Sequence, residues 1–107
     1  MGRCICYVKD TDDTEYYFLW STVVDAPVTF GMNLEGFQEF MRYEYGNRGM
    51  EDLQQSLERA RERGTSWVCG PTFDEMIKFN RAGENESTLS REQLIEWYCR
   101  RGENPHC

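Results

Sequence analysis

The motifs and the histidine-based arrangements that carry much enzyme chemistry are not found in this sequence of 107 residues. Its single histidine, His106, is next to the last residue, which removes almost every Ser-His-Asp or Cys-His arrangement. The glycine-rich patterns that hold dinucleotides or phosphates do not occur, and neither does the H-E-x-x-H pattern of zinc proteases. The sequence therefore predicts a protein that acts by binding and not by conventional catalysis. An enzyme that uses Asp25 or another carboxylate is the third hypothesis.

Two groups of residues could in principle bind a metal, but neither is expected to do so. Cys4 and Cys6 with His106 and Cys107 offer four zinc ligands, but a C-x-C pair in a strand places both sulfurs on one face, where buried thiols are common. Residues 10–15 resemble the start of a calcium loop, yet the glycine at its sixth position and the glutamate at its twelfth are missing. The cysteines are odd in number and lack a disulfide-framework spacing. We expect reduced thiols, no metal and no cofactor.

Polar and aromatic side chains in or beside the predicted loops are the remaining candidates. Rings can stack on a ligand, guanidinium groups can hold a phosphate, and hydroxyls can bond a sugar or an amide. Asp25 is either a loop-capping acceptor or a ligand contact. The predicted ligand-binding residues are Trp20, Ser21, Thr22, Asp25, Thr29, Tyr43, Tyr45, Arg48, Thr65, Ser66, Asn80 and Arg81.

Arg81 has the most specific prediction within this set. If the helix that begins near Thr72 continues to Gly83, Arg81 lies one turn after Ile77, beside the buried face. A guanidinium there needs an acid, a carbonyl or a bound anion. The alternative to a ligand contact is an ion pair with Asp25, or bonds to the carbonyls that end its own helix, and breaking such a buried pair would cost roughly 3 kcal/mol.

Charge and composition restrict the partners. The net charge of -7 repels DNA and RNA, so we expect no direct nucleic-acid binding. No apolar run is long enough to span a membrane and no signal peptide is evident, which predicts a cytoplasmic protein. Arginine outnumbers lysine ten to two, and guanidinium forks suit phosphate or carboxylate groups, although GC-rich coding explains the same bias.

The elements that position these residues are predicted from hydrophobic periodicity and from capping signals. Residues 4–9 and 15–25 predict a β-hairpin whose second strand is apolar on both faces, and 65–69 predict a short third strand. Helices are predicted over 34–45, 50–63, 72–83 and 90–101, the last two opening with capping boxes. We therefore expect one α+β domain over 1–107, a hairpin extended by a short third strand and packed against three to four helices, with 102–107 as a flexible tail.

Several short runs of the sequence carry a resemblance. They are WSTVVDAPVTFGM at 20–32, LEGF at 34–37, RGTS at 63–66, NRAG at 80–83 and LSREQLIE at 89–96. These runs resemble a group of small uncharacterised proteins encoded by bacteriophages of actinobacteria, and the likeness extends from Tyr17 onward. The resemblance implies no particular binding residue. It implies only that the protein modifies a host process, or blocks host defence, by binding.

Two binding hypotheses follow from these observations. The first is a non-enzymatic phage accessory protein that sequesters a small anionic ligand of nucleotide type, which requires Arg48 or Arg81 in a concave pocket. The second is an acidic inhibitor that occupies a basic site of a host nucleic-acid-binding or defence protein, which requires most of the nineteen acids on one face. Edge strands and spare aromatic residues also predict a homodimer.

Overall fold

The sheet is built from a hairpin and one short strand. The computed structural model describes residues 3–50, 52–66 and 72–103, without the side chains of residues 47–50. In these ranges an antiparallel sheet has the strand order β1-β2-β3, with β1 at Arg3–Lys9, β2 at Glu15–Ser21 and β3 at Ala26–Pro27. β1 and β2 form the predicted hairpin, in which Cys6 pairs with Phe18.

β2 is shorter than the sequence predicted, because the chain reverses directly after Ser21. The Ser21 hydroxyl accepts hydrogen bonds from the backbone N–H groups of Val23 (3.2 Å) and Val24 (3.4 Å), which holds a turn over residues 22–25. Asp25 ends this turn in the left-handed region, with φ 54. The prediction that the strand continues to Asp25 was therefore wrong, and β3 pairs back onto β2.

The third strand of the sheet is β3, in a segment for which the sequence predicted neither a strand nor a helix. A proline fits there because β3 lies at the edge of the sheet, where a missing N–H removes no necessary ladder bond. The third strand was predicted over 65–69 instead. Thr65 forms an antiparallel bridge with Cys6, on the other side of β1, and residues 67–69 lie outside the described residues.

Helices cover the sheet. They are α1 (Leu34–Met50), α2 (Leu53–Arg63), α3 (Phe73–Ile77) and α4 (Arg91–Leu94), with a 3₁₀ turn at Glu84–Glu86 and a π-helical segment, Ile95–Arg100, that continues α4. α1 passes through the predicted stop at Gly46, whose non-helical backbone (φ 64) marks a kink. Sheet and helices together confirm the predicted α+β fold. In the described part of the chain, no helix is both long and apolar enough to cross a membrane.

Both predicted capping boxes are present. The Thr72 hydroxyl accepts from the backbone N–H of Glu75, whose carboxylate accepts from the backbone N–H of Thr72. Ser90 and Gln93 exchange the same two bonds at the start of α4. Each box satisfies N–H groups that the first helical turn leaves without partners, so these two helix starts are encoded locally.

α3 ends at Ile77, well before the predicted end near Gly83. The reason is the Asn80 side chain, which is fully buried and replaces helical backbone bonds with its own. Its Nδ2 donates to the carbonyl oxygens of Ile77 (2.5 Å) and Leu89 (2.7 Å). Its Oδ1 accepts from the backbone N–H groups of Leu89 (2.9 Å) and Ala82 (3.2 Å). One amide thus joins the end of α3 to the segment before α4.

Both faces of the hairpin are buried, as its alternation of apolar residues predicted. One face packs Cys6, Phe18 and Trp20 against α3, α4 and the π-helical segment. The other face packs Tyr17 and Leu19 against α1 and α2. Successive strand residues point to opposite faces, so two apolar strands are enough to build two cores.

The hairpin turn is tied to the π-helical segment by an ion pair. Asp10 is buried, with 7% of its surface exposed, and its carboxylate accepts two hydrogen bonds from the Arg100 guanidinium. Arg100 also bonds Glu92 (2.7 Å) and Glu96 (3.2 Å). The bonds from Arg100 lower the pKa of Asp10 to about 2. Asp10 therefore stabilises the folded state only in its charged form.

Replacing Asn80 with alanine should destabilise the protein strongly. The substitution leaves buried backbone groups of Leu89 and Ala82 without their partners, at roughly 1–3 kcal/mol each, so we expect a total loss of about 3 kcal/mol or more. Urea unfolding of Asn80→Ala measures this loss. The control is Gln55→Ala, an exposed amide on α2, which should change stability by less than about 0.5 kcal/mol. Equal stabilities for the two variants would contradict the role assigned to Asn80.

The Asp10 carboxylate should make stability depend on acidic pH. A pKa that is lower in the folded state adds stability above the unfolded value, 3.8, and this contribution is lost as the pH falls toward about 2. Asp10→Asn should therefore lower stability at pH 7 and flatten the decline between about pH 4 and pH 2. Urea unfolding across that range measures both effects, with the exposed Asp52→Asn as control. A decline as steep in Asp10→Asn as in the parent protein would exclude this ion pair as its source.

Candidate functional site

Four of the predicted ligand-binding residues meet beside the β2–β3 turn. A cavity of about 300 Å³ is lined by Trp20, Thr22, Asp25, Glu75, Met76 and Phe79. The backbone N–H of Arg81 donates to the Asp25 carbonyl oxygen (2.7 Å), which places Arg81 next to this cavity. Two other predicted residues lie nearby. The Ser21 hydroxyl is hydrogen-bonded within the turn, and the Asn80 amide is hydrogen-bonded to backbone groups. Three of the predicted residues, Trp20, Thr22 and Asp25, therefore line one cavity.

The chemistry of this cavity differs from the prediction. Trp20 is only 1% exposed, so its ring is part of the core and offers no stacking surface. Two carboxylates, those of Asp25 and Glu75, line the cavity, and they repel an anion. The prediction of an anion site at Trp20, Thr22 and Asp25 is not supported by this charge.

Arg81 stabilises the β2–β3 turn. It is not one of the described residues that line the cavity. Its guanidinium lies 3.5 Å from the Asp25 carboxylate and 3.9 Å from that of Glu86, and it donates to the Val23 carbonyl oxygen (3.3 Å). Its side chain is 44% exposed. The predicted position beside a buried helix face was wrong, because α3 ends at Ile77 and Arg81 is not helical. The predicted pairing with Asp25 is present.

The other predicted residues are spread over the molecule. The Thr29 hydroxyl oxygen accepts a hydrogen bond from the backbone N–H of Leu19 (3.0 Å). It replaces the backbone carbonyl that a neighbouring strand would offer to this N–H group. Thr65 is fully buried, and Tyr43 is 87% exposed on α1. The side chain of Arg48 lies outside the described residues. Thr29, Thr65 and Tyr43 therefore lie on different parts of the molecule.

Tyr45 and Ser66 are brought together in a second cleft, which is larger than the cavity beside the β2–β3 turn. It has a volume of about 510 Å³ and lies between the sheet, α1 and α2. Its lining residues are Arg3, Cys4, Ile5, Leu19, Met41, Tyr45, Ser56 and Ser66. A volume of this size is typical of small-molecule sites, so two of the predicted residues lie where a ligand can be enclosed.

A third concave region, which we call the basic groove, was not predicted. It has a volume of about 240 Å³ and lies where the end of β1, the end of α2 and the start of α3 meet. Its charged lining residues are Lys9, Arg61, Glu62, Arg63, Asp74 and Arg91, and Tyr7 adds an aromatic ring. Four cations and two acids therefore face one another in a chain whose net charge is -7.

Two arginines of the basic groove are held by aromatic rings. The Arg61 Nε–H donates to the Tyr17 hydroxyl (2.6 Å), and its guanidinium carbon lies 5.8 Å from the centre of the same ring. This hydrogen bond raises the pKa of Arg61. The Arg91 guanidinium lies 5.3 Å from the Phe73 ring centre and 3.4 Å from the Asp74 carboxylate. The Tyr17 ring positions Arg61 without neutralising its charge, whereas Arg91 is also paired with Asp74.

Tyr7 is fixed at the edge of the basic groove by an acid. Its hydroxyl donates to the Glu15 carboxylate (2.6 Å), and its ring centre lies 5.2 Å from that of Tyr17. Burial, with the hydrogen bond to Glu15, raises the pKa of the Tyr7 hydroxyl to about 12. The ring stays neutral at physiological pH and can serve as a stacking surface.

The sequence contained no signal that would have identified the basic groove. Arg61 and Arg63 are explained by the C-terminal end of the α2 dipole, and Arg91 opens α4. Lys9 ends β1, far from them in sequence. Only the packing of α2 and α3 against β1 makes these side chains neighbours.

The thiols and acids of the described residues form no metal site. Cys4, Cys6 and Cys99 are buried free cysteines, and burial raises the pKa of the Cys6 and Cys99 thiols, to about 12 for Cys99. No group of three or more metal-ligating side chains occurs in the described ranges. His106 and Cys107 lie outside them, as does most of the predicted tail.

Comparison with known proteins adds no relative. No protein-family model, curated protein or solved structure matches this chain. A function can therefore be inferred only from the geometry and charge of the cavity, the cleft and the basic groove.

Replacing Arg81 with alanine should cost little stability. Both partners of its ion pair with Asp25 are well exposed, and exposed pairs contribute about 1 kcal/mol or less. We expect a loss of about that size in urea unfolding. Arg42→Ala, an exposed arginine on α1, is the matched control. A loss near 3 kcal/mol would show instead that Arg81 behaves as a buried, desolvated cation.

Proposed function

We propose that this protein binds a small phosphate-bearing anion of nucleotide type in the basic groove, without chemical conversion of the ligand. The observation that carries the proposal is the convergence of Lys9, Arg61, Arg63 and Arg91 on one concave surface of an acidic chain. Arginine forks match the oxygen geometry of a phosphate and give two hydrogen bonds each.

The basic groove gathers cations in a chain that is negative as a whole. Its lining residues carry four cations and two acids, Glu62 and Asp74, while Asp13 pairs with Lys9 (3.7 Å) and Glu15 accepts the hydrogen bond of Tyr7 at its edge. Charges further away than about 8 Å are largely screened at physiological ionic strength. An anion in the groove therefore interacts mainly with these nearby groups, and it competes with the acids for the four cations.

The groove is prepared for its ligand before binding. Arg61 is held by Tyr17, so less side-chain freedom is lost when the ligand is bound. The volume of about 240 Å³ is below the range of pockets that enclose a whole drug-sized molecule. We propose that the groove holds the phosphate end of the ligand while Tyr7 offers a stacking surface for a base.

The biological role proposed here is sequestration in the cytoplasm of a host cell. The resemblance to accessory proteins of actinobacterial bacteriophages supports it, because a phage protein that captures a nucleotide-type signal can counter host defence by binding alone. Exposed apolar side chains at Val23 and Phe79, each 74% exposed, support the further prediction of a homodimer.

The alternative function is an acidic inhibitor of a host nucleic-acid-binding or defence protein. That function needs a face of unpaired acids. Several acids are instead engaged with Arg81 or Arg100, namely Asp10, Asp25, Glu86, Glu92 and Glu96. This pairing favours ligand capture over mimicry of a nucleic acid.

Reversing two charges of the basic groove should abolish most of its anion affinity. We expect ATP and inorganic pyrophosphate to bind the parent protein in isothermal titration calorimetry, more weakly as salt is raised. Lys9→Glu/Arg91→Glu should weaken binding by at least about tenfold, because two phosphate contacts become repulsive.

The matched control is Arg42→Glu/Lys78→Glu. It makes the same change in net charge at two exposed positions outside the groove and should leave affinity within about threefold. Circular dichroism verifies that both variants are folded. No binding of either anion by the parent protein, or equal weakening in both variants, would overturn the proposed function.

A further inference from the structure

The cleft lined by Tyr45 and Ser66 has an apolar body made from the core side of the sheet. Ile5 and Leu19 are paired across β1 and β2, and Met41 of α1 lies beside them. All three are buried, at 9% exposure or less. The volume of about 510 Å³ falls well within the range of sites that enclose small molecules. The cleft therefore favours an apolar ligand body.

One end of the cleft carries a cation joined to a phenol. The Arg3 Nη1–H donates to the Tyr45 hydroxyl oxygen (3.1 Å). A hydroxyl that accepts a bond through its oxygen keeps its own proton to donate. Arg3 and Tyr45 together thus present several donors and a positive charge, which is the arrangement that binds a carboxylate.

The two serines that line the cleft resemble Tyr45, because their hydroxyl oxygens also accept a hydrogen bond from the protein. The Ser66 oxygen accepts from the Ile5 backbone N–H (2.9 Å), and the Ser56 oxygen accepts from the Arg59 Nη2–H (3.3 Å). Arg59 also bonds the Ser66 carbonyl oxygen (2.9 Å), which fixes the two serines relative to each other. Both hydroxyl protons remain for a ligand, and none of the described lining residues is acidic.

From this donor-rich polar edge around an apolar body, we propose that the cleft is a second binding site, for a small monocarboxylate with an apolar chain or ring. Arg3 is the one cation among the described lining residues and matches one negative charge, whereas the basic groove presents four cations. The described lining residues of the two sites do not overlap. The proposal is therefore independent of the function proposed for the groove.

The test compares octanoate with octan-1-ol as probes. The two molecules share an apolar chain, and only octanoate has the carboxylate that Arg3 and Tyr45 should bind. Isothermal titration calorimetry and protein-detected NMR shifts should show octanoate binding with a Kd below about 1 mM, and octan-1-ol binding roughly tenfold more weakly. Shifted resonances should include those of Tyr45, Ser56 and Ser66.

Tyr45→Phe removes one hydroxyl and leaves the ring. It should weaken octanoate about fivefold to tenfold and leave octan-1-ol unchanged. Tyr43→Phe is the matched control, because Tyr43 lies on the same helix and is 87% exposed. Ser56→Leu places an apolar side chain in the cleft and should abolish binding of both probes.

Three outcomes would overturn the proposal. They are absence of octanoate binding up to about 1 mM, equal affinity for octanoate and octan-1-ol, and Tyr45→Phe behaving like Tyr43→Phe. Loss of octanoate binding in Lys9→Glu/Arg91→Glu, with Tyr45→Phe unaffected, would place the probe in the basic groove and would also overturn it. Normal ATP binding by Tyr45→Phe keeps this test separate from that of the groove.

Discussion

A two-stranded hairpin that is buried on both faces is the constraint on which the rest of the structure depends. Phe18 and Trp20 face one core while Tyr17 and Leu19 face the other, so β2 cannot shift by one residue without exchanging the two sets. Helices are needed on both sides, because neither face can be left to water. The register of the hairpin therefore fixes where α1 and α2, and on the other side α3 and α4, can pack.

The two proposed sites lie at opposite ends of this hairpin. The cleft lies where β1 begins, at Arg3, and the basic groove lies where it ends, at Lys9. At both ends a guanidinium bonds a phenol, Arg3 with Tyr45 and Arg61 with Tyr17. A phenol orients an arginine and leaves its positive charge uncompensated, which a carboxylate partner would not do.

Acids and arginines elsewhere in the molecule have a different role. Arg100 gathers Asp10, Glu92 and Glu96, and Arg81 fastens the β2–β3 turn through Asp25. In these ion pairs, carboxylates neutralise arginine charge on the side of the hairpin that faces α4 and in the turns. The arginine excess of the sequence is thus divided between structural pairs and the cations that face the cleft and the groove.

Local chemistry in the sequence determined the hairpin, its two apolar faces and the capping boxes at Thr72 and Ser90, because each depends on residues only a few positions apart. Of the proposed sites, the sequence indicated only Tyr45 and Ser66. Tertiary structure decided that α3 ends at Ile77, since the buried Asn80 amide finds partners near Leu89. It alone decided which cations share the basic groove, because Lys9, Arg61 and Arg91 are separated along the chain and become neighbours only when helices pack on the sheet.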